Sequence, residues 1–228
     1  FMSNECNTEH IIKQRKTAKV LADAPWEASL NPKEQEDLIK DLLDLAACAP
    51  YHYKCAAKYQ TYGLESSLPF RAYTLNSGTC RTLAKQLQFM DMPPGKIVNM
   101  LWAAEALIIM TWLPDVFGEQ PQERDMEPLP FTGNLRNMEH IAASSAAIQN
   151  ILLGATHKGF PNYWSSGGVL RQKPAREFLE ISLDEMLLGC LFIFPQNAHQ
   201  REVEIKEGKL HNEGKNNSTW SKSITLGK

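Results

Sequence analysis

Arg15-Lys16-Thr17-Ala18-Lys19 sets three cations and a hydroxyl within five residues. Arginine offers a planar bidentate fork, lysine a point charge and threonine a neutral donor, a set that suits a dianionic phosphate. A solvated basic turn would carry the same residues. A second group, Ala49-Pro50-Tyr51-His52-Tyr53-Lys54, packs two aromatics, an imidazole and an amine into four consecutive positions. Those side chains could line a flat heterocycle and offer it donors; an ordinary connector is the competing reading. The third group is Trp164-Ser165-Ser166-Gly167-Gly168. Paired glycines let backbone amides approach a ligand edge and meet charge that develops there, although a plain turn between strand and helix would look alike.

Other chemistry finds less footing. The five cysteines, Cys6, Cys48, Cys55, Cys80 and Cys190, are scattered without a C-x-x-C pair, so neither a zinc site nor a dithiol is indicated and reduced thiols are expected. No third group orients Cys48 or Cys55 with His52 as a nucleophile, and no side chain is assigned as a catalytic acid or base. Lys and Arg total 24 against 26 acidic residues, which leaves no overall basic field for nucleic acid or an anionic membrane. Any anion site must be local. No apolar run reaches the ~18 residues of a membrane span and the first residues lack a signal-type apolar core, so a cytoplasmic protein without membrane or nucleic-acid partners is expected.

The elements that must position these groups follow from periodicity and caps. A short helix is predicted over Glu9–Lys16. Asn31-Pro32 with Glu34 starts a second helix whose stripe Leu38, Leu42, Leu45, flanked by Ile39 and Leu43, runs to Pro50. Phe70–Leu75 reads as a strand, and Gly78-Thr79 opens a helix over Leu83, Leu87 and Phe89. A helix over Lys96–Ala104 leads to a strand from Ala106 to Leu113, apolar enough to be buried on both faces. Pro114–Asn134 is long and proline-rich, as lid-like loops are. Asn137 is expected to cap a helix ending at Lys158 with Gly159 beyond it; Ala142–Ala147, only alanine and serine, would admit a close helix or a second subunit. A short extended piece at Tyr163-Trp164, a helix from Lys173 to Glu180 and a buried strand Leu188–Phe194 complete an α+β pattern. Residues 196–228 have too few apolar groups for a core of their own and must lie across another surface or stay unfolded.

In this order, the three groups resemble the FMN-dependent nitroreductase family. Arg15, Lys16, Thr17 and Lys19 match its R-[RH]-S-x-[RK] signature with threonine for serine, and Ala49-Pro50 keep the start of its A-P-S-x-x-N motif. Ile148-Gln149-Asn150-Ile151-Leu152-Leu153, Ala155, Gly159, the Trp164–Gly168 segment, Leu183-Asp184-Glu185 and Pro195 follow in sequence. The likeness spans Glu9 to Pro195, and Tyr51, His52, Tyr53 and Lys54 depart from it. The resemblance implies an α+β sandwich with a mostly antiparallel central sheet flanked by helices. It further implies an intertwined homodimer with two FMN sites and ping-pong reduction of a small acceptor by NAD(P)H. Residues 8–195 would form the FMN-binding domain and 196–228 an extension packed on the partner subunit. Implied cofactor contacts are Arg15, Lys16, Thr17 and Lys19, then Tyr51, His52 and Lys54, then Trp164, Ser165, Ser166, Gly167 and Gly168. Arg201 is the candidate for a closing phosphate contact, with Lys206 next. Lys19 or Lys54 would favour the anionic reduced flavin. Other flavin chemistry, such as dehalogenation or dehydrogenation, and flavin binding without turnover are the rival readings.

Overall fold

The computed structural model describes residues 8–60, 64–90, 93–115, 131–201, 204–208 and 220–224. Four strands form an antiparallel sheet in the order β2-β3-β5-β4: β2 Phe70–Asn76, β3 Ala106–Trp112, β5 Met186–Ile193 and β4 Asn162–Ser165. Every residue of β3 is buried, as its unbroken apolar run requires of a strand covered on both faces. A separate two-stranded sheet pairs β1, Ala18–Leu21, with β6, Glu204–Glu207.

Helices cover both sides of the larger sheet. On one side α2, Pro32–Ala46, packs against α5, Leu135–His157, over Leu38, Leu42, Ile148, Ile151 and Phe70. A Cβ on Gly154 would lie 2.3 Å from Leu45 Cδ1, so the two helices meet closely where α5 has no side chain. On the other side α3, Ser77–Phe89, and α4, Ile97–Ala103, bury Leu83, Leu87, Met100 and Leu101 with Val20 of β1. The short α1, Thr8–Gln14, and α6, Lys173–Phe178, lie at the periphery.

Local chemistry explains the boundaries. Asn31 and Glu34 form a complete capping box at the start of α2. Asn76 caps α3 by accepting from Thr79 N, two residues ahead of the expected glycine. Asn134, not Asn137, caps α5: its side chain accepts from Asn137 N at 2.9 Å. Asn137 is buried one turn further in, where its Oδ1 accepts from Asp115 N and its Nδ2 donates to Thr132 O. That amide ties together the two ends of a loop whose residues 116–130, the middle of the expected lid, lie outside the described residues. α1 stops at Gln14 because Thr17 already bridges Asn162 in extended conformation. α6 ends at Phe178, and Glu180 follows in left-handed conformation, φ 55°. Phe89 is 87% exposed instead of joining the α3 stripe.

Periodicity missed both β1, in a stretch that reads as a loop between Lys16 and Asp23, and β6. The polar tail does find a surface over Glu204–Glu207, and that surface is β1 of the same chain, with Lys19 opposite Lys206 and Leu21 opposite Glu204.

A buried carboxylate anchors each half. Glu105, fully buried, accepts from Ser29 N and Oγ, Leu30 N and Gln35 Nε2, which fixes the entry to α2. Glu185 accepts from Tyr73 Oη at 2.7 Å and from Thr111 Oγ1; burial first, then this bond, pushes the Tyr73 phenol up.

Candidate functional site

Strand alternation splits the Arg15–Lys19 motif between two faces. Val20 points into the core, and Ala18 shares its side. Thr17, Lys19 and Leu21 occupy the opposite face; Arg15, whose N–H still donates to Ile11 O, closes the last turn of α1 just ahead of them. Directly across the ladder on that face are Lys206, opposite Lys19, and Glu204, opposite Leu21. Gly208 donates its N–H to Thr17 O, and a Cβ there would meet Thr17 Cβ at 3.1 Å, so the missing side chain keeps the end of the row open.

Arg15 is half-buried, and burial lowers its pKa. Among the described residues its guanidinium has neither an ion pair nor a hydrogen-bond partner. A partly desolvated, unpaired cation is costly to the fold and is the arrangement an incoming anion would relieve. Lys19 Nζ lies 4.6 Å from the centre of the Tyr163 ring, a cation–π contact that holds it beside β4. Lys206 pairs with Glu204 at 2.8 Å, and its amine lies within hydrogen-bonding reach of Lys96, at the start of α4. The Lys206 contact lowers the Lys96 pKa, with Lys19 adding to the effect, whereas Glu204 raises that of Lys206. Lys206 and Lys96 thus converge on Glu204, at the edge of a groove of about 640 Å3 lined by Leu21, Asp23, Trp26, Lys96, Asn99 and Glu204.

The Trp164–Gly168 segment reaches the same region. Gly167 and Gly168 are both left-handed, φ 106° and 51°, a pairing that side chains resist. Ser165 Oγ accepts from Gly167 N at 3.1 Å, which sets the turn. A Cβ on Gly168 would lie 3.4 Å from Ile97 Cγ1, so the turn abuts the residue after Lys96. Trp164 lies across β5 at Gly189, where a Cβ would be 2.1 Å from its Nε1. Ser166 is exposed. Cys190 sits beneath the turn with its thiol pushed up to about 12 by burial, and it stays protonated at neutral pH.

Other expected contacts lie elsewhere. Lys16 falls on the opposite side from the Thr17–Lys19 row, in a groove it shares with Ala18. Arg201 stacks over the Trp26 ring, 4.3 Å from its centre, at the Leu21–Glu204 end of the ladder. Four strand residues separate that end from Thr17, roughly 13 Å, so Arg201 is not brought to Arg15. Tyr51, His52 and Lys54 are exposed, and Tyr53 lies under Arg136, 5.2 Å from guanidinium carbon to ring centre, while Arg136 pairs with Asp115 at 3.4 Å. Arg136 begins α5, whereas Thr156, near its far end, hydrogen-bonds Asn162, the residue bridged to Thr17. Twenty residues of helix amount to roughly 30 Å, so one chain does not bring the Tyr51–Lys54 loop to the Arg15–Thr17 row. Lys96, Asn99 and Trp26 belong to no sequence motif; only the proline-glycine break at Pro93–Gly95 marked that a helix, and with it Lys96, began there. Among the described residues no group of three His, Cys, Asp or Glu could hold a metal, and no helix is long and apolar enough to cross a membrane.

No family model matches the sequence, and no curated protein matches it. Solved structures do. A nitroreductase-like family protein from Bacillus cereus is 20% identical and superposes with a TM-score of 0.56, over 85% of this chain and 88% of that one. A nitroreductase family protein from Clostridium novyi gives 14% identity and a TM-score of 0.53, over 86% and 89%. A structure from Desulfovibrio desulfuricans, described as a nitroreductase in complex with FMN, gives 16% and 0.50, over 83% and 86%. The antiparallel sheet with helices on both faces and these superpositions agree: the chain has the nitroreductase-like fold.

Proposed function

We propose that the chain is an FMN-dependent oxidoreductase that uses NAD(P)H to reduce a small organic acceptor such as a nitroaromatic or a quinone. The observation that carries this reading is the half-buried Arg15 guanidinium, without an ion pair among the described residues, two positions ahead of the face that carries Thr17, Lys19 and Lys206. The residues fit the cofactor. Arg15 and Thr17 would hold the phosphate, with Lys206 the nearer basic group of the tail. Lys19, Lys96 and the Gly168 backbone amide, in a turn whose Gly167 N–H is already bound by Ser165 Oγ, would supply positive potential where charge accumulates on the ring system. FMN when bound would take two electrons from NAD(P)H and pass them to the acceptor in a second half-reaction.

The protein's part in this chemistry is binding and polarisation. Lys96 gives up its proton more readily than an ordinary lysine, so an anion placed beside it would draw the proton back. The roughly 30 Å between Tyr53 and Thr17 means that Tyr51, His52 and Lys54 can meet a ring held by Arg15–Lys19 only from a second copy of the chain. A homodimer with the cofactor in the intersubunit cleft satisfies that constraint, and the exposed α5 face at Met138 and Ala142 offers a contact. The tail beyond Gly208 would then run onto the partner subunit.

The absorption spectrum of the purified protein, followed by FMN titration of wild type and Arg15→Ala, tests the reading. We expect flavin bands, and an affinity at least about tenfold weaker in the variant, the weight of a charge-assisted phosphate contact. Stoichiometric FMN of unchanged affinity in Arg15→Ala would overturn the phosphate assignment. Anaerobic NAD(P)H should bleach the bands and a nitroarene or quinone restore them; bound FMN inert to NAD(P)H would make this a flavin-binding protein without turnover.

A further inference from the structure

We infer that Tyr163 is a positioning residue for Lys19: its ring holds the ammonium in place while leaving the charge whole, which makes Lys19 a stronger partner for reduced than for oxidised FMN. This deepens the flavin reading and rests on it.

The placement starts from the backbone. Thr17 bridges Asn162 in parallel, so β1 and β4 leave that point side by side and in the same direction. Asn162 is fixed at the end of α5, where its buried Nδ2 donates to Thr156 Oγ1 and Phe160 O. One residue further along β4, Tyr163 lies opposite Phe192 of β5 and packs against the core that contains Val20, Ile97 and Phe192. A ring held on its strand and against a close-packed core has little freedom to turn. Two residues along β1 from the bridge, Lys19 places its Nζ 4.6 Å from the centre of that ring, over the negative face of the π system.

A carboxylate could hold the amine equally well, and the same ladder contains an example. Lys206 is held by Glu204 at 2.8 Å, and an acid at that distance cancels most of the field of the ammonium it binds. Among the described residues Lys19 pairs with no carboxylate, and its charge is felt as far as Lys96, whose pKa it helps to lower. The π face therefore gives orientation without neutralisation. Charge accumulates on a flavin only when it is reduced, so a whole positive charge fixed beside it stabilises the reduced form more than the oxidised one.

Redox titration of the FMN-loaded protein against a reference dye tests the inference. We expect Tyr163→Leu to weaken the binding of reduced relative to oxidised FMN about threefold, the weight of a cation–π contact at a partly exposed site, which lowers the two-electron potential by about 14 mV. Tyr163→Phe keeps the π face and should keep the wild-type potential. Tyr163→Glu, which holds the amine but cancels its charge, should lower the potential most, about tenfold or ~30 mV. In a Lys19→Gln background Tyr163→Leu should have no effect, because the ring acts through the amine. In the protein free of flavin, the Lys19 ε-methylene protons should resonate upfield in wild type and Tyr163→Phe and move downfield in Tyr163→Leu, the ring-current signature of the contact. Unchanged potentials in both Tyr163→Leu and Tyr163→Glu, or an equal fall in the Lys19→Gln background, would overturn the inference and leave the flavin reading standing. Wild-type protein that takes up no FMN would overturn both, and the flavin bands of the spectrum tell the two failures apart.

Discussion

The two segments expected to face a bound ring are held in opposite ways. Gly167 and Gly168 turn through left-handed conformations over a floor of Leu187, Arg171 and Cys190, so the backbone itself dictates the shape. Tyr51, His52 and Lys54 are exposed between the buried Ala49 and Cys55, and a cation–π contact from Arg136 to Tyr53 holds the side chain of that loop against the body. A turn built by sterics presents the same amides whether or not a ligand is present. A loop held by a side-chain contact can adapt to whatever packs on it, which suits a surface that completes a site across a subunit boundary.

The sharpest way to break this contrast is at Gly167. Gly167→Ala forces an L-residue to φ 106° with its Cβ 3.0 Å from Leu187 Cδ2, and we expect a loss of about 1–3 kcal/mol in denaturant unfolding. An unchanged midpoint would mean that the turn is not sterically fixed. Gly189→Ala should follow closely, because its Cβ would occupy the space of the Trp164 indole; displacement should show as a shift in tryptophan fluorescence, with about 1–3 kcal/mol of overpacking.

Next in size is a pH effect on the cationic row. The Lys96 pKa is below its ordinary 10.5, chiefly because of Lys206, and an anion bound nearby would raise it again. FMN binding should therefore take up a proton at alkaline pH, and affinity should fall as pH rises from neutral through the depressed Lys96 titration. Lys96→Gln should flatten that dependence in a fluorescence titration; an equally steep profile would assign it to another group. The smallest changes are expected in the adaptable loop. Tyr51→Ala and His52→Ala should stay within about 0.5 kcal/mol of wild-type stability, and Arg136→Ala should cost about 0.5–1 kcal/mol, measured by thermal unfolding.

The same contrast explains what could be read from the chain. The all-apolar β3, the capping box at Asn31 and the tandem glycines announce themselves because local sterics and periodicity determine them. Asn137 misleads as a cap because its amide has a long-range role, joining Asp115 to Thr132, and nothing local signals that. β6 has no apolar period because Ile205, which packs against the core, is its one apolar residue, while the register that brings Lys206 to Lys19 depends on a partner strand far away in sequence. Lys16 and Thr17 are adjacent in the motif yet separate in space, a consequence of the two-residue strand period that composition does not reveal. Lys96 enters the site through α4 packing alone.

The pairing of β1 with β6 also has a bearing on when the protein becomes competent. β1 and β6 are far apart in sequence, so their ladder closes a long loop and carries an entropic cost before any contact compensates it. During synthesis the four-stranded sheet and its helices can assemble while β1 still lacks its neighbour. The Thr17–Lys19 face acquires Lys206 only after β6 has been made and zips along β1, and the anion receptor is thereby coupled to that late pairing.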